Sequence, residues 1–305
     1  MDPAKRLEHT LDGRGLRWEI VSLAELPGGA ITWLRVGPAA NEIGSAMLAR
    51  DLVIEETGVV ARLRVGNPSK TPVLLPSDLV LDGGKQARVV ERSVIVPAFA
   101  TAEVPVRCVE QGRWAPRDAR TAQSFQVASP QALASREYNT CRKQFHAKTR
   151  GSYELDQSEV WAEVQRELEG SQVRSVTQSY TAFLSFRAER VAHARKLDIQ
   201  PPMGANGLAL ARSNGTVWIE VFPNREDMCS IVPLVLADAL DAAPYETTAL
   251  WVQSAIHHVG TASLLGVPAP PATIGETYVL DGHDVAGSVL VFGGRVAHLV
   301  ARVGA

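Results

Sequence analysis

Between residues 16 and 110 the chain is broken into short apolar runs, each closed by a turn signal. This rhythm limits the possible folds more than any other feature. In the run 59–65, Val59, Ala61, Leu63 and Val65 alternate with Val60, Arg62 and Arg64. That is the period of a strand with one buried face. The runs 16–23, 31–36, 52–56 and 73–75 are also strand-like. Pro27-Gly28-Gly29, Thr57-Gly58 and Asn67-Pro68-Ser69-Lys70 separate them, with glycine supplying the positive φ that tight turns need. Short strands with such frequent turns predict an antiparallel β-sandwich or barrel-like domain over residues 1–114.

Beyond this domain the pattern changes. Over residues 113–150, eight basic residues face two acidic ones and apolar periodicity is poor. This reads as a long connection with a short helix near 133–145, either a flap over a site or a solvated linker. Asp156-Gln157-Ser158-Glu159 has the form of a capping box. Val160, Trp161, Val164 and Leu168 give the apolar stripe of the helix it opens, and Val176, Tyr180, Phe183, Leu184 and Val191 mark another. Pro201-Pro202-Met203-Gly204 closes this middle part, 115–200. In 201–305, the runs 208–212 and 216–222 flank Ser213-Asn214-Gly215, a hairpin signal. Helices are predicted over 225–240 and 246–259, and a meander over 277–280, 288–292 and 296–300. The predicted class is α+β: a β-rich N-terminal domain, a helical middle segment, and a C-terminal α+β part with hairpin and meander.

Composition removes several functions. With 305 residues, 46% of them hydrophobic and 21% charged, the chain has material for a real core. A net charge of −2 disfavours nucleic acid as a partner of the whole protein. The basic 113–150 stretch, with Trp114, Phe125, Tyr138 and Phe145 to stack, is a weaker RNA-binding alternative. No apolar run is long enough to span a membrane, and the N-terminus lacks the apolar core of a signal peptide. Cys108, Cys141 and Cys229 are odd in number and unrelated in spacing, which points to reduced thiols and a cytoplasmic location. No metal-ligand spacing, P-loop, dinucleotide fingerprint or Gly-x-Ser-x-Gly motif is present, so neither metal nor cofactor is expected.

Candidate site residues concentrate in 82–114. Gly83-Gly84 leaves backbone N–H groups accessible, and Lys85, Gln86 and Arg88 follow. Such a corner suits a phosphate or carboxylate, although the same dipeptide also makes an ordinary hairpin turn. Ala102, Val104, Val106 and Cys108 share one strand face, and alternation carries Glu110 onto the core side at the strand end. A carboxylate there needs a partner, and Arg88, Arg113 and Lys85 are nearest in sequence. Glu110-Gln111-Gly112-Arg113-Trp114 combines an acceptor, an amide, a bidentate donor and a stacking surface. It reads as a ligand site, or as a structural salt bridge with Trp114 plugging the sandwich end. Cys108, among valines, reads as packing. Glu220 lies between Trp218 and Phe222 and is a second general acid or base candidate. His298 reads as a core histidine, and His257-His258 as a poor metal pair.

Asn67-Pro68-Ser69, Pro72-Val73-Leu74-Leu75, Gly83-Gly84-Lys85-Gln86-Ala87-Arg88, Val96-Pro97-Ala98 and the 104–114 run together resemble a bacterial family, the ARG and Rhodanese-Phosphatase-superfamily-associated Protein domain. Gln157-Ser158-Glu159-Val160-Trp161, the 207–222 hairpin and residues 287–299 extend the resemblance over nearly the whole chain. It implies gene association with ADP-ribosylglycohydrolase-like and rhodanese-like phosphatase proteins as partners, and work near ADP-ribose or nucleotide derivatives. The expected function is binding, with processing left open, of an anionic, phosphorylated or nucleotide-like small molecule. In that reading Lys85, Arg88 and Arg113 neutralise the ligand, Gln86 and Gln111 orient it, Trp114 stacks, and Glu110 aligns the basic groups or acts as base. The alternative is a non-catalytic binding or scaffold subunit for partner enzymes.

Overall fold

A computed structural model of the chain describes residues 7–8, 16–26, 29–45, 51–116, 124–127, 155–212, 214–239 and 249–304. Most of the basic stretch, including its expected helix near 133–145, and Cys141 lie outside these. In chain order the strands are β1 (Leu7–Glu8), β2 (Arg17–Leu26), β3 (Gly29–Gly37), β4 (Gly44–Ser45), β5 (Val53–Glu56), β6 (Arg62–Asn67), β7 (Val73–Leu75), β8 (Val80–Gly83), β9 (Arg88–Val90), β10 (Val94–Val96), β11 (Ala100–Cys108) and β12 (Ser124–Val127). Helices α1 (Gln157–Gly170) and α2 (Tyr180–Arg195) follow. Then come β13 (Gly207–Arg212), β14 (Val217–Val221), α3 (Arg225–Ala239), α4 (Ala249–Thr261), β15 (Ser263–Val267), β16 (Glu276–Asp281), β17 (Val285–Phe292) and β18 (Arg295–Val303). The α+β class with a barrel-like N-terminal part is what the sequence predicts.

Six strands close a barrel in the order β11-β6-β5-β12-β8-β9. Closure depends on β11, which pairs with β6 through Pro105 and with β9 from Val106 onward. Proline cannot donate to a ladder, and Pro105 sits where the strand changes neighbours. Leu63, Val65, Val104 and Val106 fill the barrel and are fully buried. Each contributes roughly 1.5–3 kcal/mol of burial. One sequence expectation differs here. Val59 is exposed, because Thr57 Oγ1 hydrogen-bonds around the turn to Val59 and Arg62 and the strand begins only at Arg62.

The second layer is a nine-stranded antiparallel sheet, β1-β2-β3-β13-β14-β18-β17-β16-β15. The N-terminal strands β2 and β3 join this sheet and not the barrel: β3 pairs with β13 from Gly29↔Arg212 to Leu34↔Gly207. Asn206 fixes the join by accepting from Val36 N–H at 2.8 Å and donating to the carbonyls of Val36 and Phe222. Both faces of the central strands are buried. Ala209, Ile219 and Val221 pack with Val252, Ile256 and Val259 of α4. On the other face Leu208, Leu210, Trp218 and Phe222 share one cluster with α3 and the barrel interior. Burial on two sides explains why β13 and β14 read as near-continuous apolar runs.

The middle helices cover the outside of the barrel. Val160, Val164 and Leu168 of α1 and Tyr180 and Phe183 of α2 pack on Val80, Ala87, Val89 and Val109. Asp156 caps α1, its side chain accepting from Ser158 N–H, as the capping-box reading expects. Ser179 caps α2 in the same way. Among the described residues no helix is long and apolar enough to cross a membrane.

Candidate functional site

The turn between β8 and β9 closes one end of the barrel. Gly83 and Gly84 have φ of 141° and 48°, the left-handed region that side chains avoid. A Cβ at Gly84 would come within 2.3 Å of the Phe125 ring and 2.8 Å of Glu56 Oε1. The turn is thus pressed onto β12 and the end of β5. From it the chain enters β9, where Val89 faces the helices and Val90 the barrel interior. Alternation then points Arg88 inward, beside its cross-strand partner Cys108.

The last layer of the barrel is therefore polar. Arg88 is 2% exposed. Its Nη1 donates to the backbone and side-chain oxygens of Gln86, both at 3.2 Å. Gln86 accepts from the Cys108 thiol at 3.1 Å and donates to the Glu110 carbonyl at 2.9 Å. Burial pushes the Cys108 thiol up, against the opposing pull of Arg88, so it stays protonated and poorly nucleophilic. Glu56 Oε1 lies 3.8 Å from Arg88 Nη2 and accepts from Lys85 N–H at 3.3 Å.

Glu110 lies next to this layer, 1% exposed. One carboxylate oxygen takes Arg113 Nη2 at 2.6 Å and Ala87 N–H at 3.1 Å. The other takes the Thr177 hydroxyl at 2.8 Å. Burial works against the charge, but Arg113, Ala87 N–H and Thr177 outweigh it and hold the carboxyl below the ordinary range. Arg113 also donates to Gly84 O at 2.8 Å and Ala115 O at 3.1 Å. The backbone continues the link: Gly112 N–H meets Thr177 O and Tyr180 N–H meets Val109 O, both at 2.8 Å. The pair thus ties the glycine turn, the end of β11 and the start of α2 together.

The predicted ligand residues separate into three groups. Gln86 and Arg88 are sealed in the barrel end, and Arg113 is engaged with Glu110 and carbonyls. Lys85 and Gln111 are exposed, as is Trp114 at 61%. An open groove of about 460 Å³ runs along the outer barrel face past Arg64, Gly66 and Phe99. None of the predicted site residues lines it.

Glu220 lies elsewhere, in the buried face of the large sheet. His298 Nε2 is 3.3 Å from Glu220 Oε1, and Ser93 Oγ is 2.8 Å from His298 Nδ1. Trp218 Nε1 approaches Glu220 at 3.5 Å, and Ser77 N–H donates to Ser93 Oγ at 2.9 Å. A serine, histidine and carboxylate in this order resemble a nucleophile relay. All three are buried, and Ser93 comes from the segment joining β9 to β10, so the chain fastens that segment to the sheet. Asp227 of α3 is nearby and fully buried. Burial raises its pKa to about 6, although Ser45, Asn224 and the His298 charge pull it down. Sequence reasoning missed Ser93 and Asp227. Ser93 carries no local signal; Asp227 had one, an acid three residues after the capping Asn224, whose side chain accepts from Asp227 N–H. Among the described residues no His, Cys, Asp and Glu side chains gather into a metal-ligating group.

Fold and site together define an α+β protein whose barrel is closed at one end by a buried ionic cluster and backed by a large antiparallel sheet. The chain belongs to the ARG and Rhodanese-Phosphatase-superfamily-associated Protein domain family, whose model matches residues 34–302. That name associates the family with ADP-ribosylglycohydrolase (ARG) and rhodanese-phosphatase superfamily proteins. No curated protein and no solved structure matches the chain.

Two predictions follow from these charges. Because the Glu110 pKa is lowered on folding, its contribution is full above the ordinary glutamate pKa and is lost as pH falls through the folded value. Glu110→Gln should cost on the order of 3 kcal/mol at pH 7, with the deficit in melting temperature shrinking below about pH 4. A variant that melts with the wild type at pH 7 would refute the clasp. Asp227 has the opposite sign: its raised pKa makes the ionised form unfavourable above about pH 6, and acidification relieves this. Asp227→Asn should therefore stabilise by roughly 2–3 kcal/mol at pH 7.5, with the gain fading toward pH 4. A lower melting temperature at pH 7.5 would contradict it.

Proposed function

We propose that the chain is a binding protein that holds an anionic, phosphate-bearing small molecule of the ADP-ribose or nucleotide class at the closed end of its barrel. It would act in the bacterial cytoplasm, beside partner enzymes of the two superfamilies in the family name. The observation that carries the reading is Arg88. A guanidinium 2% exposed carries a desolvation cost of several kcal/mol unless it is closely paired. Among the described residues its nearest carboxylate, that of Glu56, is 3.8 Å away. An anionic ligand would supply the missing charge, and Lys85 on the rim would add to it.

The same geometry weighs against acid–base chemistry at Glu110. A general base at neutral pH needs a pKa near the working range and a free lone pair directed at substrate. Glu110 has a lowered pKa and both oxygens engaged. The scaffold reading gains support from Trp114, a large aromatic left 61% exposed on the same rim. Exposed tryptophan is the kind of anchor that protein partners bury.

Thermal-shift titration with ADP-ribose, NAD and sugar phosphates separates these readings. A ligand at 100 times its dissociation constant should stabilise by about 2.7 kcal/mol. If none of these anions shifts the transition, small-molecule binding at the barrel end is wrong and the scaffold reading takes its place.

A further inference from the structure

The buried arginines of this protein are not compensated alike. Arg107 holds Glu91 at 3.2 Å, Arg113 holds Glu110 at 2.6 Å, and Arg187 holds Asp238 at 2.5 Å. Arg88 has Glu56 at 3.8 Å, beyond hydrogen-bonding distance. Its Nη1 is taken by the neutral oxygens of Gln86. Among the described residues its Nε is buried without a hydrogen-bond partner, as is that of Arg113; what sets Arg88 apart is the distance from its Nη2 to a carboxylate. Nε and Nη2 form one edge of the guanidinium, the edge that grips two oxygens of a phosphate or carboxylate in parallel. In Arg88 that edge is the open one.

Glu56 occupies the space in front of it. It is the last residue of β5, and its side chain remains 16% exposed. A single oxygen, Oε1, makes both contacts: 3.3 Å to Lys85 N–H and 3.8 Å to Arg88 Nη2. Both are long for a charged acceptor, whose bonds to N–H groups run near 2.7–2.9 Å. Gly84 is what lets this oxygen lie so close to the turn, since a Cβ there would stand 2.8 Å from it. The corner of turn N–H and guanidinium that the sequence marks as an anion site is thus held, loosely, by one of the protein's own carboxylates.

We infer that Glu56 is a built-in, displaceable occupant of the Lys85–Arg88 corner, and that a phosphate or pyrophosphate oxygen of the ligand takes its place. This rests on the binding reading above and adds how the site is kept closed without ligand. A phosphate group carries more charge than a carboxylate and has oxygens enough to meet Nε, Nη2 and Lys85 N–H together. Displaced Glu56 turns outward, toward the solvent its side chain already reaches.

The test is isothermal titration with inorganic pyrophosphate and, separately, ADP-ribose, on the wild type, Glu56→Gln and a Glu55→Gln control. Glu55 is an exposed neighbour on the same strand. Glu56→Gln should bind pyrophosphate at least ten-fold more tightly than wild type. It should melt lower in anion-free buffer and regain that loss when pyrophosphate is added. Glu55→Gln should match the wild type. If Glu56→Gln fails to fold, Glu56→Asp decides by the same criterion, since it keeps the charge but shortens its reach. Equal dissociation constants for wild type and the Glu56 variant would leave ligand binding standing and overturn the role of Glu56. Equal gains in both glutamine variants would reduce the effect to net charge and overturn it too. Absence of binding by every form to both probes would overturn this inference together with the binding reading.

Discussion

The Glu110 carboxylate is the point at which the separate parts of this protein meet. Three donors from three places converge on it: Arg113, the Ala87 N–H and the Thr177 hydroxyl. Without it, Arg113 would be a buried cation lying against carbonyls. The Ala87 N–H after the glycine turn would lose its acceptor, and the Thr177 hydroxyl ahead of α2 would lose its bond to the barrel end. The position demands a charged acceptor because the end of a closed barrel leaves backbone and guanidinium donors out of reach of water, where unpaired groups are costly. The result is a fully engaged carboxylate at the barrel end.

The fold holds two polar centres with different characters. Around Glu220, His298 and Ser93, hydrogen bonds link neighbouring elements deep in the core, and their chemistry is that of a fastening. At the barrel end one ion pair is close and the other is not: Arg113 meets Glu110 at 2.6 Å, Arg88 meets Glu56 only at 3.8 Å. Arg88 has neutral oxygens on one side, a distant carboxylate on the other and an unpaired Nε. Stable folds retain such local imbalance where a ligand completes it. The proposed function therefore rests on charge compensation at a single residue, with the Lys85 N–H of the turn beside it.

Much of this was legible before the structure. Period-two alternation along β6 and β11 placed Leu63, Val65, Val104 and Val106 in the barrel, and carried through to Glu110 and its pairing with Arg113. The N-cap at Asp156 and the hairpin at Asn214-Gly215 were local signals and survived as such. What the sequence hid was non-local. That β3, with β2 paired behind it, joins β13 and not the barrel rests on contacts across more than 170 residues, which no local pattern carries. Glu220, His298 and Ser93 come from three separate segments, so their junction had no signature. Glu56 was invisible as a site residue because its importance comes from the Gly84 turn folding over it. Arg113 pairs with Glu110 as its spacing suggested, while its bond to Gly84 O in the β8–β9 turn is a non-local contact that the sequence did not announce.

The most direct measurement of the central claim is a crystal structure of the full chain with ADP-ribose bound. The account predicts phosphate oxygens within hydrogen-bonding distance of Arg88 Nε and Lys85 N–H, with the Glu110–Arg113 pair unchanged. A ligand seated instead in the groove beside Arg64 and Phe99, with Arg88 still facing only Gln86 and Glu56, would contradict it.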